Sequence, residues 1–375
     1  MDKECSLYIH VPFCKAKCYY CDFASFDNCD CYIKDYIESV VQEIALVSPK
    51  NVIKTIFIGG GTPSYINESY IYKVLDKVYS CCSVKNDAEI TIESNPGTLN
   101  RDKLLTYKSI GINRLSMGVQ STNDNVLKKL GRIHTYKDFI DNFNLAREVG
   151  FRNISVDLMF GVPGQDENIW RQTLGDVVKI SPEHVSAYSL TIEEGTKFGD
   201  MYQKGEISYV QDDIDRSMYH YAIDFLGQHG YHQYEISNFA KRYCECEHNK
   251  VYWNDECYIG IGLGAHSYFA GKRYNNTYDM NQYIKSVKRG IGPHENIEAI
   301  SKTRDMSDYM ILGLRLASGV SKKKFYERFN ESLDLVYLVK IEDLKARGLI
   351  KCDADKVVLT KLGLDLANKV FVEFI

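Results

Sequence analysis

Long apolar runs are missing from this 375-residue chain. The most apolar stretches are strand-sized, as in Thr55-Ile56-Phe57-Ile58, far short of the roughly 20 apolar residues a spanning helix needs, so no integral membrane segment is expected. Proline is scarce, with 7 in all, and neither a low-complexity tract nor an internal repeat of fixed period occurs; nothing in the composition suggests disorder. One sign of charge does not dominate either. The 46 Lys and Arg against 50 Asp and Glu leave a net charge of -4, which gives no global attraction to phosphate backbones, and nucleic acid is not an expected partner. The Lys322-Lys323-Lys324 run reads as the solvated start of a helix. At the N-terminus an acidic Asp2 and a short, broken apolar run do not make a signal-peptide core, so a cytoplasmic location is expected.

What is present is an ordinary globular composition, 45% hydrophobic and 26% charged, in a chain longer than one usual domain. Up to about residue 190, β-rich runs alternate with stretches of helical period. The strand candidates are Leu7 to Val11, Thr55 to Ile58, Glu89 to Glu93, Arg114 to Met117, Ile154 to Met159 and His184 to Ser189. Between them Tyr36, Ile37, Val40, Val41 and Ile44 fall on one helical face. Six such units predict an α/β fold with a parallel sheet, a partial TIM-like (β/α)6 barrel, with an open doubly wound sheet as the alternative. In both, functional groups collect at the carboxyl ends of the strands. A helical pattern then runs from 211 to about Gly230, followed by a strand-like Tyr231 to Ile236 and an irregular polar loop from Ser237 to Cys246 that extends or closes the barrel. From Ser301 the pattern is mainly helical, with a small hairpin of Gly348-Leu349-Ile350 and Lys356 to Thr360. The expected division is a core over 1–235, a barrel extension over 236–300, and a small helix-rich, winged-helix-like C-terminal domain over 301–375.

Twelve cysteines are many for a reducing compartment unless some bind metal. Cys14-Lys-Ala-Lys-Cys18-Tyr-Tyr-Cys21 places three thiolates on one short loop at the end of the first strand candidate. Zinc prefers CxxC pairs and a closed set of four ligands. Three thiolates without a neighbouring fourth suit a 4Fe-4S cubane with one iron left open for a small molecule. Cys29, Cys31, Cys81, Cys82, Cys244, Cys246 and Cys257 lack such spacing and are read as thiols without a metal role. Gly260-Ile-Gly262-Leu-Gly264-Ala-His266 lacks the order of a dinucleotide loop and reads as a tight strand or turn near the ligand cavity.

The CxxxCxxC loop resembles that of the radical S-adenosylmethionine (SAM) superfamily. The resemblance implies a 4Fe-4S cluster on Cys14, Cys18 and Cys21, with the methionyl amine and carboxylate of SAM on the fourth iron and a 5'-deoxyadenosyl radical as the reactive product. Gly59-Gly60-Gly61-Thr62-Pro63, directly after the second strand, resembles the loop for the SAM amino group. Glu93, at the end of its strand, suits a ribose diol. By the same resemblance Tyr8, Gln120, Arg132 and Asp157 contact SAM or a second ligand. Arg132 is placed only loosely, at a helix end, with a salt-bridge role as the alternative.

Tyr8-Ile-His10-Val-Pro12-Phe13-Cys14, the Gly59 to Pro63 turn, Asp157-Leu-Met-Phe-Gly-Val-Pro-Gly164 and the closing segment Leu359 to Ile375 are together similar to the oxygen-independent coproporphyrinogen III oxidase (HemN-like) family. Two departures point away from the oxidase itself. Its motif carries a further cysteine where Phe23 stands here, and it carries a long extension before the cluster loop, which here begins at residue 14. Both departures, with His248-Asn249-Lys-Val-Tyr252-Trp253, resemble the heme-chaperone branch, HemW. That resemblance implies heme as ligand, His248 as its contact, apoproteins as recipients, and homodimerisation as an open possibility. The alternatives are an oxidase acting on coproporphyrinogen and a radical SAM enzyme acting on heme, with a buried, hydrogen-bonded core histidine as the alternative role of His248.

Overall fold

The β-rich runs of the first half become strands because most of them concentrate Ile, Val, Leu and Phe between turn residues and have a layer to bury against on both faces. In the computed structural model, which describes residues 4–375, they are β1 (Glu4–Val11), β2 (Val52–Gly60), β3 (Val84–Ser94), β4 (Arg114–Gln120), β5 (Ile154–Phe160) and β6 (His184–Ser189). Met1 to Lys3 of the N-terminal reading lie outside the described residues. The six strands pair in parallel in chain order, forming the expected partial TIM-like barrel. The helices lie on the outer face. In helix Ile33–Val47, Tyr36, Ile37, Val40 and Ile44 are buried against the sheet while Lys34, Asp35 and Glu38 stay in solvent. Each such buried aliphatic side chain contributes roughly 1.5–3 kcal/mol. Helix starts are fixed by side chains that accept backbone N–H groups, among them Asn67, Asn100, Thr135 and Asp166.

Beyond β6 the sheet grows at both edges. β7 (His232–Glu235) and β8 (Asn238–Ala240) form a hairpin whose β8 pairs antiparallel with β6. β8 lies within the stretch expected to be an irregular loop; three residues are too few to show alternation, and the edge of β6 supplies the pairing. β9 (Tyr258–Ile261) crosses to the opposite edge and pairs in parallel with β1. β10 (His266–Phe269), β11 (Lys272–Asn276) and β12 (His294–Ala299) continue from it antiparallel.

The C-terminal domain has its own core of Met310, Leu314, Phe325, Ile341, Val357 and Phe374. Its helices include Lys302–Gly313, Lys322–Phe329 and Leu338–Ala346, and its small sheet joins β13 (Val320–Ser321), β14 (Ile350–Cys352) and β15 (Lys356–Leu359) in a winged-helix-like arrangement. Arg328 fastens it to the barrel, donating to the backbone oxygen of Asp255 at 2.8 Å and to its Oδ2 at 2.7 Å. Among the described residues no helix is long and apolar enough to cross a membrane.

Buried titratable groups set the response to pH. Burial pushes the carboxyls of Glu43 and Asp255 up to about 7, and the imidazoles of His134 and His248 down from 6.5 to about 3. A histidine buried neutral contributes its stability in full above 6.5 and loses it as pH falls toward 3. A raised carboxyl contributes in full below its unfolded value and loses that contribution as pH rises through 7. The two trends oppose each other between about pH 4.5 and 6.5, and only the histidine trend survives below. Denaturant titrations across this range are expected to show a shallow middle and a steep loss of stability below about pH 4.5. A steep decline beginning already at about pH 6.5 contradicts the raised carboxyls.

Candidate functional site

β1 runs into Pro12 and delivers Cys14 at the carboxyl end of the sheet. The loop that follows is stapled at its ends: the Cys14 N–H donates to the Phe26 oxygen at 2.9 Å, and the Phe26 N–H to the Pro12 oxygen at 2.7 Å. Inside it, the Lys17 ammonium donates to the oxygens of Phe23 and Ser25 at 3.2 and 3.0 Å. Each of the three sulfurs has its own donor. The Thr62 hydroxyl stands 3.6 Å from the Cys14 sulfur, Arg132 Nη1 is 3.4 Å from Cys18, and the Ser25 hydroxyl is 3.6 Å from Cys21. Burial pushes the Cys14 and Cys21 thiols up, and the hydroxyls of Thr62 and Ser25 act against it. Iron settles the matter when bound, because a coordinating thiol is deprotonated outright. None of the twelve cysteines forms a disulfide.

Beside the thiols lies a crevice of about 400 Å³, lined by Cys14, Cys18, Cys21, Gly60, Gly61, Thr62, Glu93, Gln120, Arg132 and Asp157. Gly60 has φ +113°, and a Cβ there would stand 2.3 Å from the His10 ring; at Gly61 it would meet the Phe13 oxygen at 2.9 Å. The glycines therefore let the turn lie directly on the cluster loop. Its N–H groups are engaged within the protein: Gly60 with Glu93 Oε2, Gly61 with the Val11 oxygen and Thr62 with the Phe13 oxygen, each at 2.9 Å. β4 ends in a bulge between Gly118 and Gln120, with Gln120 at φ +68°, a device that re-aims side chains beside sites.

A hydrogen-bonded chain crosses the crevice between two sulfurs. Thr62 meets Cys14, Asn95 Nδ2 donates to Thr62 Oγ1 at 2.8 Å, and Arg132 Nη2 donates to Asn95 Oδ1 at 2.7 Å while Nη1 reaches Cys18. Arg132 also donates to the Gly118 oxygen. It follows helix Asp124–Lys129 in the loop, so its place is the site itself and not an exposed ion pair. Asn95 and Ser25 were not anticipated as site residues. Asn95 is visible in sequence only as part of the Ser94-Asn95-Pro96-Gly97 turn; its partners come from the turn after β2 and from the loop after helix Asp124–Lys129, which the chain alone does not pair. On the carboxylate side, burial raises Glu93 to about 7, with the nearby Asp157 adding to the shift. Asp157 is raised by burial too, and accepts from Ser186 at 2.7 Å and Ser116 at 3.0 Å.

Two expected residues stand elsewhere. Tyr8 is not a crevice residue; it lines a second cavity and its hydroxyl is bonded to His10 Nδ1 at 2.9 Å. His248 lies on helix Glu247–Trp253, which packs against β2 and whose His248 N–H donates to Glu89 of β3 at 3.0 Å. Its Nδ1 meets Thr55 Oγ1 at 2.7 Å and its Nε2 meets the Tyr252 hydroxyl at 2.9 Å. Since Thr55 donates to Ser6, His248 Nδ1–H donates and Nε2 accepts. The ring is 1% exposed and stacks on Phe57 at 5.1 Å. With both nitrogens engaged, the expected heme contact has none to offer iron in this arrangement; the buried core histidine of the alternative reading is what the geometry presents.

Comparison with known proteins places this architecture. A heme chaperone HemW of Bacillus subtilis is 39% identical over 374 residues, covering 99% of both chains. The chain belongs to the HemW family. A second HemW, from Lactococcus lactis, is 35% identical over 378 residues, covering 100% of this chain and 98% of its own. Within this HemW-family chain, residues 8–177 match the radical SAM superfamily and residues 300–366 the HemN C-terminal domain. The solved coproporphyrinogen III oxidase HemN of Escherichia coli superposes with a TM-score of 0.87 at 23% identity, covering all of this chain and 90% of its own, which establishes the shared fold. Radical SAM membership implies a 4Fe-4S cluster and SAM as the cofactors of a HemW-family protein. The donor set fits them, since three thiols with separate hydrogen-bond donors surround one crevice. No three His, Cys, Asp or Glu side chains among the described residues converge on a single-ion site.

Proposed function

We propose that this chain is a heme carrier that binds heme and transfers it to apoproteins, and that it holds a SAM-coordinated 4Fe-4S cluster on Cys14, Cys18 and Cys21. The observation that carries the reading is full-length similarity to proteins named heme chaperones. Phe23 supports it, since the oxidase pattern has a cysteine there. When bound, the reduced cluster supplies an electron for cleavage of the SAM sulfonium. The chain's own groups do the holding: Arg132, Thr62 and Ser25 favour the thiolates, and Asn95 keeps Arg132 and Thr62 in register. Glu93 and Asp157 stand where a ribose and a second ligand would meet acceptors. The turn at Gly60 and Gly61 has its N–H groups engaged within the protein, so it offers none of them to a ligand. Gln120 closes the same crevice. In this reading 1–235 carries the cluster, 236–300 completes the barrel, 301–375 forms the C-terminal domain, and the carrier works in the cytoplasm.

The test is anaerobic cluster reconstitution, heme titration followed by the Soret band, and a SAM-cleavage assay with heme or coproporphyrinogen present. Stoichiometric heme uptake, transfer to an apoprotein and no porphyrin product are expected. Conversion of coproporphyrinogen with matching deoxyadenosine overturns the carrier in favour of an oxidase.

A further inference from the structure

A second cavity, of about 370 Å³, opens beside the cluster loop, between β1 and the β9–β10 turn. Its walls are aromatic: Tyr8, Tyr252, Tyr258, Tyr278 and Phe23. Phe23 is 64% exposed and Tyr278 53% exposed, so large apolar rings are left in solvent around the slot. Such surface marks a binding site, and flat rings are what a planar macrocycle packs against.

Two imidazoles line this cavity. His10 is buried, with Nδ1 bonded to the Tyr8 hydroxyl and Nε2 to the Ala24 oxygen at 2.8 Å. His266 is exposed, and its hydrogen bond is between Nε2 and the half-exposed Tyr278 hydroxyl at 2.9 Å. That leaves Nδ1, and rotation of one surface tyrosine releases Nε2. The glycine run preceding His266 has a task here. A Cβ at Gly260 would stand 2.2 Å from the His266 oxygen, and at Gly264, with φ +63°, 2.7 Å from the Tyr278 ring. The glycines thus bring His266 and Tyr278 together at the mouth.

We propose that heme docks in this aromatic cavity with His266 as an axial ligand to its iron. The assignment rests on the heme-carrier reading and adds the place and the ligand. Partial burial lowers the His266 pKa, so the ring is neutral at pH 7, the form that ligates iron. The open mouth leaves one edge of the macrocycle accessible, as transfer to a recipient requires. Asp22 and Phe23 line both this cavity and the SAM crevice, so the loop organised by the cluster forms one wall of the heme site.

The experiment titrates hemin into the cluster-loaded full chain, for wild type, His266→Ala, His266→Gln and His248→Ala, following the Soret band and the electron paramagnetic resonance of the ferric iron. Both His266 variants are expected to lose affinity by on the order of 10- to 100-fold and to lose the signature of imidazole ligation, which free imidazole restores in His266→Ala. Iron and sulfide content and SAM binding stay at wild-type level. Wild-type affinity and signature in both His266 variants overturn the assignment while leaving the carrier reading intact, as does loss of the signature in His248→Ala alone. Absence of hemin uptake by the wild type overturns the carrier reading and the assignment with it.

Discussion

Arg132→Ala is expected to lower cluster retention and SAM affinity together, each by on the order of 10- to 100-fold, the range typical of removing an outer-shell partner of a metal ligand. Arg132 reaches Cys18 with Nη1 and Asn95 and Gly118 with Nη2. Its loss removes a positive charge from beside a thiolate and frees Asn95, which holds Thr62 against Cys14. Two of the three sulfurs are thus disturbed by one substitution. Arg132→Lys is expected to recover little, because a compact ammonium on a flexible stem does not span the acceptors that the planar guanidinium meets at once. Asn95→Ala acts on the same chain of bonds, so the double variant Arg132→Ala, Asn95→Ala should lose less than the sum of the two single effects. Iron and sulfide analysis after desalting, and anaerobic SAM titration, measure both quantities. Wild-type iron content and SAM affinity in Arg132→Ala sink the idea that this chain of bonds supports the site.

The six parallel strands were legible because most are apolar, β-rich runs closed by a turn and they recur between helical stretches, and the cluster loop because three thiolates at that spacing have few other uses. The strand ends then located Gly60 and Glu93 without knowledge of how the sheet curls, whereas Asp157, in the middle of β5, was legible only through its motif. Asn95 and Ser25 escaped notice for the opposite reason: an asparagine in a turn and a serine in a loop are ordinary, and their partners are 33 and 4 residues away. β8 is too short to carry a pattern. The different surroundings of His248 and His266 are likewise invisible in the chain. One sits in a conspicuous His-Asn-x-x-Tyr-Trp motif yet is sealed among Thr55, Tyr252 and Phe57; the other follows an unremarkable glycine run and faces solvent. Motif prominence reports that a residue is constrained, and packing as readily as ligand binding imposes the constraint.

That distinction makes His248→Ala the most informative stability measurement. In heme-free protein the substitution is expected to cost about 3–5 kcal/mol, because it opens a cavity in the core and leaves a buried hydroxyl without its partner. For a chain of this length, an unfolding entropy of roughly 0.8 kcal/mol per kelvin converts this into a melting-temperature drop on the order of 5 °C. The ring lost is the one stacked on Phe57 and set edge-on to Tyr252 at 5.2 Å; the Tyr252 hydroxyl is stranded, while Thr55 keeps its bond to Ser6 and loses only the one from the imidazole. The effect should reach the C-terminal domain as well, since Trp253 on the same helix lies under the Arg315 guanidinium at 4.4 Å. A residue whose role is to ligate heme shows the reverse pattern, with an unchanged apoprotein melting temperature and lost heme. The acid profile separates the two roles again. His248 titrates near 3 in the folded chain and near 6.5 when unfolded, so its neutral ring contributes stability above pH 6.5 that is lost as pH falls toward 3. In His248→Ala that contribution is gone at neutral pH, and the stability gap between variant and wild type should narrow steadily on acidification.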